Sequence, residues 1–434
     1  METWNLTLET MIKSIKIETF SSRLLLLSAV LICLMATLFF VKWCLANAIA
    51  SRTPDKEVVE LAIALAPNDP QTHYSLAVLS EKTFQAEDLS TSLAEFEQAT
   101  ALSPNDFRLW LALGKARERR GDAAGAERAL RKALALAPNY AQVQWTLGNV
   151  LLRSGKIEEA FAEIRRAAES DDAYRTPAAT TAWHIFDGNI NDVKKYIGGS
   201  PNLNSALATF FAGQKLLDQA IELWLALPDE YKRTTRKSDG EALFGSLIAA
   251  KKYRDALRIQ SSLSDDPGAE NFAPGKITNG GFESEVKRET AGIFDWQIAD
   301  STQPQIGFDD RQKHGGTRSL VMIFNSNDGR AFRQISQTVV IASAGKYIFN
   351  TFYKSNLKTA ATLRWEIVDA ADGKVLGATD PILDNADWTN LKVEFVASEN
   401  TQAVSLRLAR VPCKSIICPI SGKVWFDDFS INNY

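Results

Sequence analysis

The groups in this 434-residue chain that could do chemistry beyond plain charge pairing are few: three histidines, four cysteines and a scatter of 52 acids. Cys413 and Cys418 stand five apart in the turn-rich stretch CKSIIC, where a bridge would pin a loop. Zinc would need a second ligand pair at suitable spacing, and the chain has none. A disulfide between Cys413 and Cys418 is therefore expected, the alternative being two unpaired thiols. A bridge needs an oxidising compartment, which would place the C-terminal part of the chain outside the cytoplasm. His73 and His184 fall in helical stretches and His314 in a glycine turn. No HExxH, GxSxG, P-loop or dinucleotide fingerprint accompanies them. Two carboxylates at the right separation would hydrolyse a glycoside, but spacing alone selects no pair among 52 acids. No catalytic centre is expected.

Chemistry this sparse turns attention to the elements. The chain is long enough for two or three domains. Its 49 basic and 52 acidic residues give a formal charge of -3, with no basic block to suggest nucleic acid as a partner. Leu24 to Val41, LLLLSAVLICLMATLFFV, carries no charge and is bracketed by Arg23 and Lys42. As a helix it spans roughly 27 Å, close to a hydrocarbon core. A buried soluble helix would normally show a polar stripe, and this one has none. A cleaved signal peptide is the rival, since ANAIA at 46–50 offers small-x-small sites. Against it stand the length of the apolar run and a 23-residue leader holding Glu2, Glu9 and Glu18. The expectation is an N-terminal cytoplasmic segment over 1–23 and a transmembrane anchor over 24–45. Lys13, Lys16 and Arg23 on one side balance Lys42, Arg52 and Lys56 on the other, so basic residues do not orient it.

Beyond the anchor, three phrases recur: LAPN at 65–68, LSPN at 102–105 and LAPN at 136–139. Each follows an Ala-rich helical run, with proline to stop one helix and Asn or Asp to cap the next. Pro104 and Pro138 are 34 residues apart, the period of a helical hairpin repeat. Trp110, Leu113, Gly114, Gly121, Ala126, Leu130 and Ala133 fall in one unit. The corresponding positions in the next are Gln144, Leu147, Gly148, Gly155, Ala160, Ile164 and Ala167. The pattern resembles the tetratricopeptide repeat. Further on it decays, but GKIEEA, GNINDV, KLLDQA and KKYRDA remain versions of one inter-helix turn. An α-solenoid of some five hairpins is expected over 54–262. The resemblance implies a protein-binding groove on the first helix of each hairpin, at Arg108, Leu111, Lys115, Arg119, Gln142, Trp145, Asn149 and Arg153. Four cations around an aromatic suit an acidic extended peptide. The alternative is an ordinary solvated helix face.

SDDPGAENFAPG, within a linker at 263–275, has two prolines, two glycines and no apolar period. After it the period changes to two. LKVEFV (391–396), LRWEIV (363–368), AVSLRLA (403–409) and GKYIFNTFYK (345–354) alternate, separated by Gly, Asp and Asn turns. Such strands predict an antiparallel β-sandwich over 276–434. ITNGGFE, DWQI, HGGTRSL, Trp388 and GKVWFDDFSI then occur in order. Together they resemble carbohydrate-binding modules of families four and nine, which have a galactose-binding-like jelly-roll fold. The resemblance implies a structural calcium tying the first strand to the last, with Glu283, Asp427 and Asp428 at the matching positions. Without metal, these are turn and edge polar groups. Sugar binding needs aromatics that face outward. Trp365 alternates with core residues, and Trp296 and Trp388 occupy packing positions. Phe352, opposite in phase to Tyr347, Phe349 and Tyr353, is the outward candidate, flanked by Arg364, Glu366 and Arg407 if their strands are adjacent.

The expected fold is thus multi-domain, α then β: one N-terminal transmembrane helix, a tetratricopeptide-like α-solenoid and a C-terminal antiparallel β-sandwich. It resembles bacterial tetratricopeptide proteins with such a C-terminal domain. That implies a non-catalytic scaffold on the inner membrane, single-pass, with its domains in the periplasm, engaged in surface-polysaccharide assembly or export. A protein would sit in the groove and a polysaccharide on the sandwich. The alternatives are a periplasmic glycoside-active enzyme or its accessory subunit, and a purely structural protein–protein adaptor.

Overall fold

The computed structural model describes residues 19–83, 85–264, 273–287, 289, 291–328, 332–359, 361–411, 413 and 417–433. Most of the expected cytoplasmic segment and residues 265–272 of the expected linker lie outside them. By contact the chain forms two compact units, divided between Ala178 and Ala179. The boundary falls inside a helix of the array, so the last hairpins group with the β-domain.

Helix α1 runs unbroken from Phe20 to Arg52. It is longer than the anchor expected over 24–45, because no Gly or Pro interrupts the sequence before Pro54. Its apolar window is not buried within the chain, and it is long and apolar enough to cross a membrane. Its last turns instead enter the array. Ala46 and Ala50 are buried against Val59, Ala62 and Leu76, and Asn47 Nδ2 donates to Asp69 Oδ2 at 3.2 Å.

The array follows as α2 (Lys56–Leu65), α3 (Pro70–Glu81), α4 (Ala86–Leu102), α5 (Phe107–Arg119), α6 (Ala123–Leu136), α7 (Ala141–Arg153) and α8 (Ile157–Ser170). It continues with α9 (Arg175–Ile185), α10 (Ile190–Ile197), α11 (Pro201–Gly213), α12 (Leu217–Leu225), α13 (Asp229–Arg233), α14 (Lys237–Ala249) and α15 (Tyr253–Leu263). The hairpins α3–α4, α5–α6, α7–α8, α9–α10, α11–α12 and α14–α15 are six, one more than the period suggested. The period drifts where α10 is only 8 residues long and where α13 is inserted.

The register has a physical basis. Ala126, Ala160, Val193, Ala220 and Ala256 are all fully buried, so paired helices approach closely at each. A Cβ on Gly114 would lie 2.6 Å from Leu130 Cγ, and one on Gly148 2.6 Å from Ile164 Cγ1. The proline phrase is tied down by one contact used three times. His73 Nε2, Trp110 Nε1 and Gln144 Nε2 reach the carbonyls of Pro67, Pro104 and Pro138, at 2.9, 2.9 and 2.7 Å. The caps are Asp69 and Asp106, each accepting from a backbone N–H of the next turn. Tyr140 holds the third cap position without a side-chain bond.

In the β-domain, β1 (Gln297–Ile298), β2 (Gln305–Asp309), β3 (Ser319–Asp328), β4 (Ile335–Val340) and β5 (Gly345–Thr359) are followed by five more strands. These are β6 (Thr362–Asp369), β7 (Val375–Ala378), β8 (Asn385–Ala397), β9 (Ala403–Val411) and β10 (Ile417–Asn433). They form two five-stranded sheets, β1-β4-β9-β6-β7 and β2-β3-β10-β5-β8, antiparallel throughout. Between them lies one core that includes Phe282, Trp296, Phe349, Trp365, Phe426 and Phe429. Helix α15 is fastened to one end of this sandwich. Arg254 donates to the carbonyls of Ile341 and Thr401 at 2.8 and 3.0 Å, and Tyr253 Oη to that of Ala370 at 3.0 Å.

From α5–α6 onward, the turn within each hairpin holds a residue in the left-handed region: Gly121, Gly155 and Gly188, then Lys215 (φ 63) and Lys251 (φ 59). The conformation outlasts the glycine, at a cost of about 1 kcal/mol for a side chain with a Cβ. Lys215→Gly should raise stability by about 1 kcal/mol, read as a rise in unfolding midpoint. The same change at Ala129, which is buried within α6, should lower it.

Candidate functional site

In the array, α3, α5 and α7 surround a hollow of about 370 Å³. Tyr74, Phe107 and Tyr140 bring aromatic rings to it, with Arg108, Leu111, Lys115, Arg119 and Gln142 around them. Phe107 and Tyr140 meet edge to face at 4.9 Å. Five of the eight expected groove residues are therefore together.

The other three are not among its lining. Trp145 packs on Tyr174 with ring centres 5.2 Å apart, since the chain after α8 folds back over it. Asn149 Nδ2 turns to its own helix, donating to Trp145 O at 2.9 Å. Arg153 pairs with Glu118, one repeat back. The cations are also less free than their count suggests. Arg108 forks onto Asp106, the cap of its own helix, at 2.9 and 2.6 Å, and Arg119 pairs with Glu81. Lys115 has no hydrogen-bond or ion-pair partner among the described residues. Burial, and then the neighbouring Arg119, holds its pKa below the ordinary lysine value. The hollow, whose lining also includes Glu81 in its pair with Arg119, thus presents a partly desolvated ammonium that has no hydrogen-bond or ion-pair partner among the described residues.

In the sandwich, the NGG turn and the last strand meet as expected. Phe429 N donates to Gly280 O at 3.0 Å. A Cβ on Gly280 would lie 2.5 Å from Phe429 O, which keeps that position to glycine. Asn279 (φ 53) adopts the left-handed conformation its side chain tolerates. Glu283 then reaches the HGGT turn, where it accepts from Thr317 N at 2.9 Å and from Thr317 Oγ1. These bonds hold its pKa below the ordinary glutamate value, the Thr317 hydroxyl first. Asp427 is fully buried. It accepts from the backbone N–H groups of His314 and Gly315 at 2.9 and 3.1 Å, and from that of Asp428 at 2.8 Å. Burial nonetheless pushes its pKa up.

Calcium takes six to eight oxygen ligands. Here Glu283 and Asp427 face N–H and hydroxyl donors, and Asp428 faces the His314 ring. Among the described residues no three acidic, His or Cys side chains form a metal-holding group. As they stand, Glu283 and Asp427 are satisfied by backbone N–H and hydroxyl donors.

The same turn sets His314 beside Phe352. The two rings stack with centroids 3.7 Å apart and planes at 11°, and Trp388 stands 5.7 Å from the histidine. His314 Nδ1 meets Asp428 Oδ2 at 2.6 Å. Phe352 is outward on β5, as its phase predicts, and lines a hollow of about 680 Å³ with Asn350, Asp428, Ser430 and Asn432. The sequence reading missed His314 and set Trp388 aside as packing. The HGGT motif was the available signal, because a histidine on a glycine turn is free to lie across a sheet face.

Arg364, Glu366 and Arg407 do not flank Phe352. They lie on β6 and β9 of one sheet, while β5 belongs to the other. Alternation had placed all four outward, but on opposite outsides of the sandwich. Cys413, just after β9, is bonded to Cys418 at the start of β10.

Fold and sites together define a tetratricopeptide-repeat α-solenoid joined to an antiparallel β-sandwich. Two overlapping stretches, 84–141 and 119–179, match the tetratricopeptide repeat family. No curated protein matches the chain. Among solved structures it is similar to MamA 41-end from Desulfovibrio magneticus RS-1, at 18% identity, over 36% of this chain and 90% of that one, with a TM-score of 0.31. It is also similar to TmCBM61, solved in complex with beta-1,4-galactotriose, at 14% identity, over 37% of this chain and all of that one, TM-score 0.27. A structure titled "CBM4 structure and function" matches at 14% identity over the same shares, TM-score 0.28.

A carboxylate with a lowered pKa contributes stability that is present above the ordinary glutamate range and lost as pH falls below it. Glu283→Gln should therefore lower the melting temperature of the protein at pH 7 and narrow the gap to the parent at pH 3. With backbone N–H groups as the partners, calcium and chelator should leave the parent's melting temperature unchanged. A rise with calcium that the Gln variant lacks would show an ion at this turn.

Proposed function

We propose that this chain is a membrane-anchored, non-catalytic scaffold that takes an acidic protein segment in the α3–α5–α7 hollow and a glycan on the sandwich. The observation that carries the protein-binding half is Lys115. An ammonium partly desolvated beside aromatic rings, with the nearby Glu81 and Glu118 already taken by Arg119 and Arg153, is stabilised when a carboxylate arrives. The tetratricopeptide repeats support the same half, since arrays of this kind present extended surfaces to partners.

The glycan-binding half rests on Phe352, His314 and Trp388 beside the amides of Asn350 and Asn432, an aromatic and polar mixture suited to a sugar ring. The TmCBM61 complex makes a neutral β-1,4-galactan the natural first probe. Helix α1 would be the single-pass anchor at a bacterial inner membrane. The Cys413–Cys418 bridge favours the periplasm for everything downstream, where such a scaffold would serve surface-polysaccharide assembly or export.

Peptide arrays pairing Asp or Glu with an aromatic residue should yield ligands for the full chain in detergent. Lys115→Glu should weaken them at least tenfold, about 1.4 kcal/mol, without lowering the melting temperature. Unchanged affinity in that variant would remove the groove reading. Phe352→Ala should abolish retention on β-1,4-galactan, and equal retention would remove the glycan site.

A further inference from the structure

The outer face of the β1-β4-β9-β6-β7 sheet carries an ion cluster that neither the solenoid hollow nor the Phe352 site uses. Glu366 is 6% exposed although it points outward from β6. Arg364 gives it Nε and Nη2 on one oxygen, at 3.2 and 2.8 Å. Arg407, directly opposite on β9, gives the same two groups to the other oxygen, at 3.1 and 2.8 Å. The two guanidiniums keep 39% and 36% of their side-chain surface exposed.

One carboxylate is thus spent on two cations, leaving the cluster with one net positive charge. Each guanidinium has its Nε edge fixed by the buried carboxylate and its Nη1 without a partner among the described residues. Two long side chains that would otherwise lose much rotamer freedom on binding are already held in place. The other described outward positions of β4, β6 and β9 hold no second acid. Ser336 faces Arg407 across the β4–β9 ladder, and Thr338 faces Ser405 beside it. Hydroxyl groups therefore border the cations.

We infer that this face binds a polysaccharide carrying carboxylates, a uronate-containing glycan. The Arg364 and Arg407 N–H groups would take the sugar carboxylate, and the serine and threonine hydroxyls would meet the sugar hydroxyls. Planar guanidinium matches planar carboxylate, which is why a uronate fits better than a bare polyanion. Glu366 is the positioning residue: it touches no sugar and sets the two arginines. The inference rests on reading the sandwich as glycan-facing, but on a sheet separate from Phe352.

The test is titration calorimetry of the full chain in detergent with polygalacturonate, neutral β-1,4-galactan and dextran sulfate, at two salt concentrations. Polygalacturonate should bind, more weakly as salt rises, and Arg407→Gln should weaken it at least tenfold. Because that variant leaves Glu366 half-paired, Arg364→Lys/Arg407→Lys is the second. It keeps the charge but loses the fork, and should weaken polygalacturonate at least threefold with galactan binding untouched. Lack of polygalacturonate binding by the parent, equal binding by both variants, or tighter binding of dextran sulfate than polygalacturonate would overturn the inference. Phe352→Ala separates the two sites. Loss of galactan binding alone leaves this inference standing, and galactan binding without polygalacturonate binding sinks it while the Phe352 site survives.

Discussion

A carboxylate with no exposed surface organises the β-domain. Asp427 would be costly to bury alone, by several kcal/mol for an unpaired ion, and its raised pKa registers that cost. Of the three backbone N–H groups that offset the penalty, those of His314 and Gly315 reach it only if the HGGT turn is folded against β10. That one requirement propagates. It presents Thr317 to Glu283, lays His314 over Phe352, and leaves Asp428 in a left-handed conformation (φ 52) within reach of the histidine. The NGG turn closes on the same strand through Gly280 and Phe429. First and last segments of the domain are joined directly by Phe429 N–H and Gly280 O, and indirectly by the N–H and hydroxyl donors of the HGGT turn.

How much of this was legible depended on the length scale of the signal. The 34-residue period is local chemistry repeated, so the hairpins, their small buried residues and the left-handed turn position could be read from residue types. The last hairpins were harder because lysine replaces glycine at that turn while the backbone conformation stays. Alternation in the strands shows which side faces the core, and Phe352, Trp365 and Glu366 all obey it. It carries nothing about which strands share a sheet, so Arg364, Glu366 and Arg407 were joined to Phe352 across the thickness of the sandwich. The cations of the array illustrate the same limit. Arg119 finds Glu81 and Arg153 finds Glu118, 38 and 35 residues back, and a pairing across one repeat is invisible when each repeat is read alone.

The two kinds of domain also differ in how their polar groups are disposed. In the array, Arg119 and Arg153 are neutralised by acids of the preceding repeat, while Lys115 in the hollow has no ion pair among the described residues. In the sandwich, polar and aromatic groups are spread over both outer faces. Arg254 and Tyr253 tie α15 to three loop carbonyls at the sandwich end.

Helix α1 does not stop where its apolar run stops. Thirty-three residues of one helix make a rod of about 50 Å, roughly 20 Å longer than a hydrocarbon core, and the surplus is packed into the first hairpin through Ala46 and Ala50. There is no swivel between the two. In a bilayer, any lean the lipid imposes on the span would be a lean of the first repeats as well. A thinner or thicker membrane would then re-aim those first repeats like a mast stepped through a deck.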